Sequence, residues 1–190
     1  MPTDFLSCLD AMDRALTRRI AYDLPHPPCI VRPYGALSAS GNHGVLWFAL
    51  AALPMLLRRP RGAATFCYVS GAVLAAEVCN YGVKLLVRRP RPEPEDDAEG
   101  LLAMPATTSF PSSHAAMAVA AWATVRRVSP RLGSPCGILG AALCASRPYL
   151  RVHYAGDVAA GLIVGAAVST VYTRLVRAPG RRRARGRAGS

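Results

Sequence analysis

Two runs of this sequence, 62–87 and 155–176, are long and apolar enough to cross a bilayer, and the rest of the chain must be arranged around them. A span needs roughly 20 predominantly apolar residues to cross about 30 Å of hydrocarbon, with about 17 as the lower limit. Three further apolar segments, about 37–57, 112–128 and 134–146, come close. The first reaches that length only by including Ser38, Ser40, Asn42 and His43, and the other two are short. Four spans, or five with some shielded by neighbours, both satisfy the pattern. The expected fold class is therefore all-α, a multi-pass transmembrane helical bundle of about five spans. Ala159, Ala160, Gly161, Gly165, Ala166 and Ala167 in the last segment suit close helix contact in lipid. With 190 residues there is room for one domain.

Residues 4–21 read as an amphipathic helix. Phe5, Leu6, Leu9, Met12, Leu16 and Ile20 recur near helical spacing, with Asp10, Asp13, Arg14, Arg18 and Arg19 opposite. Such a helix can lie on a membrane surface or pack on the rest of the domain in the ordinary way. The prolines from Pro25 to Pro33 predict a connector that breaks any helix. The expected organisation is an interfacial helix over 1–24, a membrane-embedded domain over 25–176, and a basic, disordered tail over 177–190. Met1 is followed by Pro, Thr and Asp rather than by a basic region and a long apolar run, so insertion is expected to use the internal segments.

Charge sets the orientation. The chain is 52% hydrophobic and only 18% charged, yet carries a net +12. Of its basic residues 22 are arginine and one, Lys84, is lysine. Arginines fall in the 58–61 turn (Arg58, Arg59, Arg61), in the 126–131 turn (Arg126, Arg127, Arg131) and in the tail (Arg177, Arg181, Arg182, Arg183, Arg185, Arg187). With five spans these lie on one side, the cytoplasmic one by the positive-inside rule. The loops 88–111 and 147–154 then meet on the opposite face, the first bearing Glu93, Glu95, Asp96, Asp97 and Glu99. The six cysteines show no C-x-x-C pair, so neither a metal site nor a disulfide framework is expected. A tail of this composition could bind nucleic acid, but beside a last span it reads more simply as a topology anchor near anionic lipid.

Three polar clusters close or open apolar segments on that non-cytoplasmic face. In the first, Lys84 and Arg91 are seven residues apart, two helical turns, so both can grip one anion. In the second, Phe110-Pro111-Ser112-Ser113-His114 opens a helix whose free backbone amides at Ser112, Ser113 and His114 suit a phosphate. In the third, Ser146-Arg147 precedes His153, with Asp157 one helical turn further on. Glu77 lies seven residues before Lys84, either a buried charge partner of the site or a residue facing a wet cavity. Arg88, Arg89 and Arg151 read as head-group or loop contacts, and His26 and His43 as structural residues.

Together these clusters, K-x6-R-P from Lys84, P-S-x-H from Pro111 and S-R-x5-H-x3-D from Ser146, resemble the three-part signature of the type 2 phosphatidic acid phosphatase superfamily, which includes lipid phosphate phosphatases and vanadium haloperoxidases. The resemblance spans about residues 5–176. It implies hydrolysis of lipid phosphates or diphosphates through a phosphohistidine on His153, with Asp157 steadying that ring and His114 protonating the leaving alkoxide. It further implies that Lys84, Arg91, Arg147 and the amides of Ser112 and Ser113 hold the phosphate, with no metal and no cofactor. Ser113 stands where the family usually has glycine, and its bulk could narrow the substrate range. The helix from Leu9 to Arg19 and the segment from Ser40 to Trp47 resemble the small subgroup containing presqualene and polyisoprenoid diphosphate phosphatases, and the length and plan are similar to actinobacterial decaprenylphosphoryl-phosphoribose phosphatases. The expected partners are an isoprenoid lipid phosphate and membrane lipid, with no nucleic acid; phosphatidic or lysophosphatidic acid is the alternative substrate, and a vanadate-dependent haloperoxidase-like enzyme a remoter one.

Overall fold

The computed structural model describes residues 5–93, 101–102 and 104–179. Among them the chain is helical throughout, with α1 (Phe5–Arg18), α2 (Pro28–Gly41), α3 (Val45–Leu56), α4 (Gly62–Val87), α5 (Ser113–Val128), α6 (Pro130–Tyr149) and α7 (Ala155–Leu175), and no strand. The acidic loop residues Glu95, Asp96, Asp97 and Glu99, and the tail from 180 on with Arg181, Arg182, Arg183, Arg185 and Arg187, lie outside the described residues.

α5 is the central helix and packs against α4, α6 and α7. Its inward residues are small: Ala115, Ala116, Ala118, Ala120 and Ala121 are buried, with Met117 and Thr124. Small side chains let backbones approach, and α7 answers with a row at four-residue spacing, Asp157, Gly161, Gly165 and Ser169, all buried. The approach is close enough to exclude a side chain. A Cβ on Gly161 would sit 2.4 Å from the Ser112 carbonyl oxygen, and one on Gly165 equally near that of Ala116. The glycines expected at this contact do make it, whereas Ala159, Ala166 and Ala167 face outward.

Two helices, α4 and α7, are long and apolar enough to cross a membrane, at about 39 and 32 Å by helical rise. Only 33% and 17% of their apolar windows are buried in the protein. A core helix of a water-soluble domain hides most of its apolar surface, whereas Leu74, Val78, Leu86, Ile163, Val171 and Leu175 point outward here.

Two expectations are corrected. The stretch Pro25–Pro33 is not a helix-breaking connector: α2 begins at Pro28, with Pro28 in the first turn and Pro33 inside the helix. A proline at a helix start gives up an amide that has no intrahelical acceptor anyway, and its fixed φ suits the helix, so only Pro33 costs a hydrogen bond. The segment 37–57 is not one continuous helix either. It breaks at Asn42–Gly44, where His43 and Gly44 take positive φ of 52° and 77°. The break lets the end of α2 press on the bundle, for a Cβ on Gly41 would stand 2.8 Å from His114 Cδ2.

Because α4, α5, α6 and α7 run alternately up and down, the end of α4, the start of α5, the end of α6 and the start of α7 share one end of the bundle. α2 brings Ser38 to that end, and α1 lies against the start of α7. The turns bearing Arg58, Arg59, Arg61, Arg126 and Arg127 lie at the other end.

Candidate active site

The three polar clusters meet at this shared end. His153 sits in the short loop between α6 and α7, 2% exposed. Its Nδ1 lies 3.4 Å from Asp157 Oδ2, and its Nε2 lies 3.2 Å from an Arg91 guanidinium nitrogen. An arginine only donates, so the pair is satisfied when Nε2 carries the lone pair and Nδ1–H points at the carboxylate. Burial pushes the His153 imidazole down from 6.5 to about 4; the Arg147 and Arg91 charges act in the same direction, against the hydrogen bond to Asp157. The ring is therefore neutral at ordinary pH.

Asp157 is fully buried in the first turn of α7. Its Oδ2 accepts from the Tyr154 amide at 2.9 Å and from the Ser109 hydroxyl, and its Oδ1 accepts from Arg89 at 2.9 Å. Arg91 is tied down by the carbonyls of Thr107 (2.8 Å) and Val152 (2.6 Å), which aims its fork past His153. The Lys84 ammonium, brought in by the last turn of α4, donates to the Thr108 carbonyl at 2.7 Å. Arg147, 2% exposed, donates to the Ser38 hydroxyl, and its Nε has no partner among the described residues. His114 Nε2 meets the Ser38 carbonyl at 3.2 Å. The charges of Arg147, Arg91 and His153 all act on His114, so the two imidazoles share one electrostatic field.

The phosphate seat expected from the α5 amides is corrected in one respect. The Ser112 amide is not free, since it donates to the Asp157 main-chain carbonyl at 2.9 Å. The bond locks the start of α5 to the start of α7 and leaves Ser113, His114 and Ala115 as the first-turn amides without an intrahelical acceptor. The Ser113 hydroxyl accepts from Asn80 Nδ2 at 3.0 Å and so is drawn toward α4. Ser112 Oγ and Asn80 Oδ1 are buried without partners among the described residues.

Several residues here escaped the sequence. Asn80 sits one helical turn before Lys84, a spacing that could have suggested it. Ser38 and Ser109 carry no local signal, because long-range folding brings them in. Arg89, read as a head-group contact, is instead ion-paired to Asp157. Arg151 donates to the Ala21 carbonyl and stacks on Tyr22. Glu77 makes no ion pair with Lys84 among the described residues; one of its oxygens is buried without a partner, and its charge is felt at Lys84. His26 stacks on Tyr149 at 4.2 Å, in keeping with a structural role.

Residues 64–181 match the sequence pattern of the PAP2 superfamily. The chain belongs to the PAP2 superfamily. It is 34% identical over 152 residues to the decaprenylphosphoryl-5-phosphoribose phosphatase of Mycobacterium tuberculosis, covering 80% of this chain and 82% of that one. The protein of the same name from Mycolicibacterium smegmatis is 34% identical over 135 residues, 70% of this chain and 72% of the relative. Two solved structures share the fold. The transmembrane PAP2 type phosphatidylglycerolphosphate phosphatase of Bacillus subtilis superposes with a TM-score of 0.69 at 19% identity, over 88% of this chain and 86% of that one. Aquifex aeolicus LpxE superposes with the same score at 23% identity, over 86% and 95%. Both show that the all-helical bundle is the fold of those two proteins as well.

Proposed function

We propose that this chain is an integral-membrane phosphatase that hydrolyses lipid phosphates or diphosphates, polyprenyl ones foremost, through a phosphohistidine on His153. One observation carries the reading. Lys84, Arg91 and Arg147 are gathered around two imidazoles and make no ion pair with a carboxylate among the described residues. Burying cations without a directly paired carboxylate is costly, and a phosphate dianion is the ligand that repays it.

His153 Nε2 attacks phosphorus, forming the N–P bond as the P–O bond to the lipid breaks. Asp157 accepts from Nδ1–H and offsets the positive charge that develops on the ring. The proton for the departing alkoxide comes from His114, whose Nε2 is engaged by Ser38 and whose Nδ1 is left for the leaving oxygen. His114 then takes a proton from water as it attacks the phosphohistidine, releasing phosphate and restoring both rings. Lys84, Arg91, Arg147 and the amides of Ser113 and His114 hold the equatorial oxygens through both steps. These cations supply the charge stabilisation, so the scheme uses no metal.

The polyprenyl preference rests on the mycobacterial relatives, matched over most of their length. In the membrane, α3 to α7 form the embedded bundle, α1 lies at the interface, and the site faces the non-cytoplasmic side with the arginine-bearing turns opposite. The outward apolar side chains of α1, Phe5, Leu6 and Met12 among them, support its interfacial placement.

The test is phosphate release by detergent-purified protein from a polyprenyl phosphate and from phosphatidate, with chelator present. Faster release from the polyprenyl substrate is expected, with a loss of at least about 10³-fold in His153→Ala. A preference for phosphatidate overturns the substrate class, full chelator inhibition the metal-free scheme, and an active His153→Ala the nucleophile. An impermeant thiol reagent applied from the non-cytoplasmic side is expected to label a chain whose only cysteine is Cys29, exposed at the start of α2; protection there reverses the topology.

A further inference from the structure

Arg89 joins the N-terminal helix to the carboxylate behind the nucleophile. One of its terminal nitrogens donates to Asp157 Oδ1 at 2.9 Å and to Asp13 Oδ2 at 2.8 Å, and the other donates to Asp10 Oδ1 at 2.7 Å. The guanidinium lies 3.9 Å over the Tyr154 ring, and the side chain is 16% exposed. α1 also caps α7 directly. Asp13 Oδ1 accepts from the Gly156 amide at 2.7 Å and the Thr17 hydroxyl from that of Ala155 at 2.9 Å, serving two first-turn donors that have no intrahelical partner. A Cβ on Gly156 would lie 2.6 Å from Asp13 Oδ2, so the start of α7 is shaped to admit that carboxylate.

The charge that Asp157 can lend to His153 depends on this arrangement. Arg89 holds one oxygen of Asp157, and the other is shared by Ser109, Tyr154 and, at 3.4 Å, His153. Asp10 and Asp13 draw on the same guanidinium, which leaves Asp157 less neutralised than a lone Arg89 would. We propose that Arg89 is a positioning residue that fixes Asp157 against His153, and that α1, through Asp10 and Asp13, sets how readily His153 takes up a proton. The inference rests on the reading of His153 as nucleophile with Asp157 behind it.

The other charged or titratable groups facing the pair are Lys84 from α4, Arg91 from the loop after it, His114 from α5, Arg147 from α6, and Arg14 and Tyr154 around Arg89. None of them changes in the variants below. Removing the Arg89 charge leaves Asp157 freer to stabilise the imidazolium, so protonation of His153 extends to higher pH. Removing the Asp13 charge strengthens the pull of Arg89 on Asp157 and does the reverse.

The experiment is the acid limb of kcat/KM for the full chain in detergent, with a short polyprenyl phosphate as substrate. Arg89→Gln is expected to move the limb up by about one pH unit, and Arg89→Lys to return it most of the way. Asp13→Asn is expected to move it down by a few tenths of a unit. Gly156→Ala crowds Asp13 without altering charge, should act in the same direction as Asp13→Asn, and serves if Arg89→Gln does not accumulate. A fall in kcat with the limb unmoved in Arg89→Gln, or movement of Asp13→Asn or Gly156→Ala in the upward direction, overturns the proposal. Activity surviving in His153→Ala overturns the underlying reading instead, so the two failures are distinct.

Discussion

The seam between α5 and α7 and the clasp of α1 end on the same residue, Asp157, and hold it by opposite means. At the seam, Gly161 and Gly165 lie against the main chain of α5, and the Ser112 amide bonds the Asp157 carbonyl. The fit is backbone against backbone, made by van der Waals contact and a main-chain hydrogen bond, and carries no charge. At the clasp the contacts are ion pairs and capping bonds from Asp10, Asp13, Thr17 and Arg89, while the apolar side chains of α1 face away, Phe5 and Leu6 being about three-quarters exposed. The contrast separates two tasks. The seam fixes where the Asp157 main chain is, and the clasp governs what its carboxylate does.

The largest expected effect is at the seam. In Gly165→Leu a side chain must enter where even a Cβ would lie 2.4 Å from the Ala116 carbonyl oxygen, and backbone has nowhere to go. We expect a loss of more than about 3 kcal/mol and little folded protein by size exclusion in detergent. Normal melting of Gly165→Leu would show that the helices are not so tightly apposed.

Acid distinguishes the two regions next, because the seam has nothing to titrate. The folded pKa of His153 is about 4, below the 6.5 of a free imidazole. Between those values the unfolded chain binds a proton that the folded chain refuses, so stability falls as pH drops from about 6.5 toward 4 and then levels. The loss from this residue is up to about 3 kcal/mol, and thermal melts across that range in His153→Gln are expected to lose the corresponding part of the slope. An unchanged slope would mean that the ring is better solvated than its burial implies.

The clasp itself is worth less, since it is made of a few polar contacts and its outer pair, to the 43% exposed Asp10, contributes about 1 kcal/mol or less and is screened by salt. Replacing Asp10 and Asp13 together by Asn is expected to speed amide exchange across residues 5–18 while leaving 113–128 and 155–175 protected. Loss of protection in α5 as well would tie α1 into the bundle more firmly than its polar contacts imply. Smallest of all, Phe5→Ser with Leu6→Ser should leave melting in detergent within about 0.5 kcal/mol, because both side chains are already outside. The same pair should lower activity in lipid vesicles if the face meets the bilayer.

The difference between seam and clasp also explains what could be read in advance. Long apolar runs and small residues at helical spacing are local signals, so α4, α5 and α7, and the glycines at the seam, were legible. Lys84, Arg91, His114, Arg147, His153 and Asp157, expected as site residues, come together because they stand at fixed spacings at helix ends and the fold has only to bring those ends together. What escaped depends on distant partners. The break at His43 and Gly44 follows from how closely α2 approaches His114, which no window of sequence records. The Ser112 amide looked free because its acceptor is 45 residues away at Asp157. Arg89 looked like a surface charge because its three carboxylates come from two other helices. The prolines at 28 and 33 mislead for a local reason, as a proline-rich stretch can open a helix as well as stop one.

The proposed chemistry turns on a covalent bond between phosphorus and His153 Nε2. The direct measurement is mass spectrometry of peptides from enzyme quenched at alkaline pH, where phosphohistidine survives, during turnover of a substrate with a good leaving group. His114→Asn is used to slow the second step. A single phosphoryl group on His153 is predicted, rising on the timescale of the first turnover and absent in His153→Ala. A phosphoryl group on any other residue, or none while phosphate is still released, would contradict it.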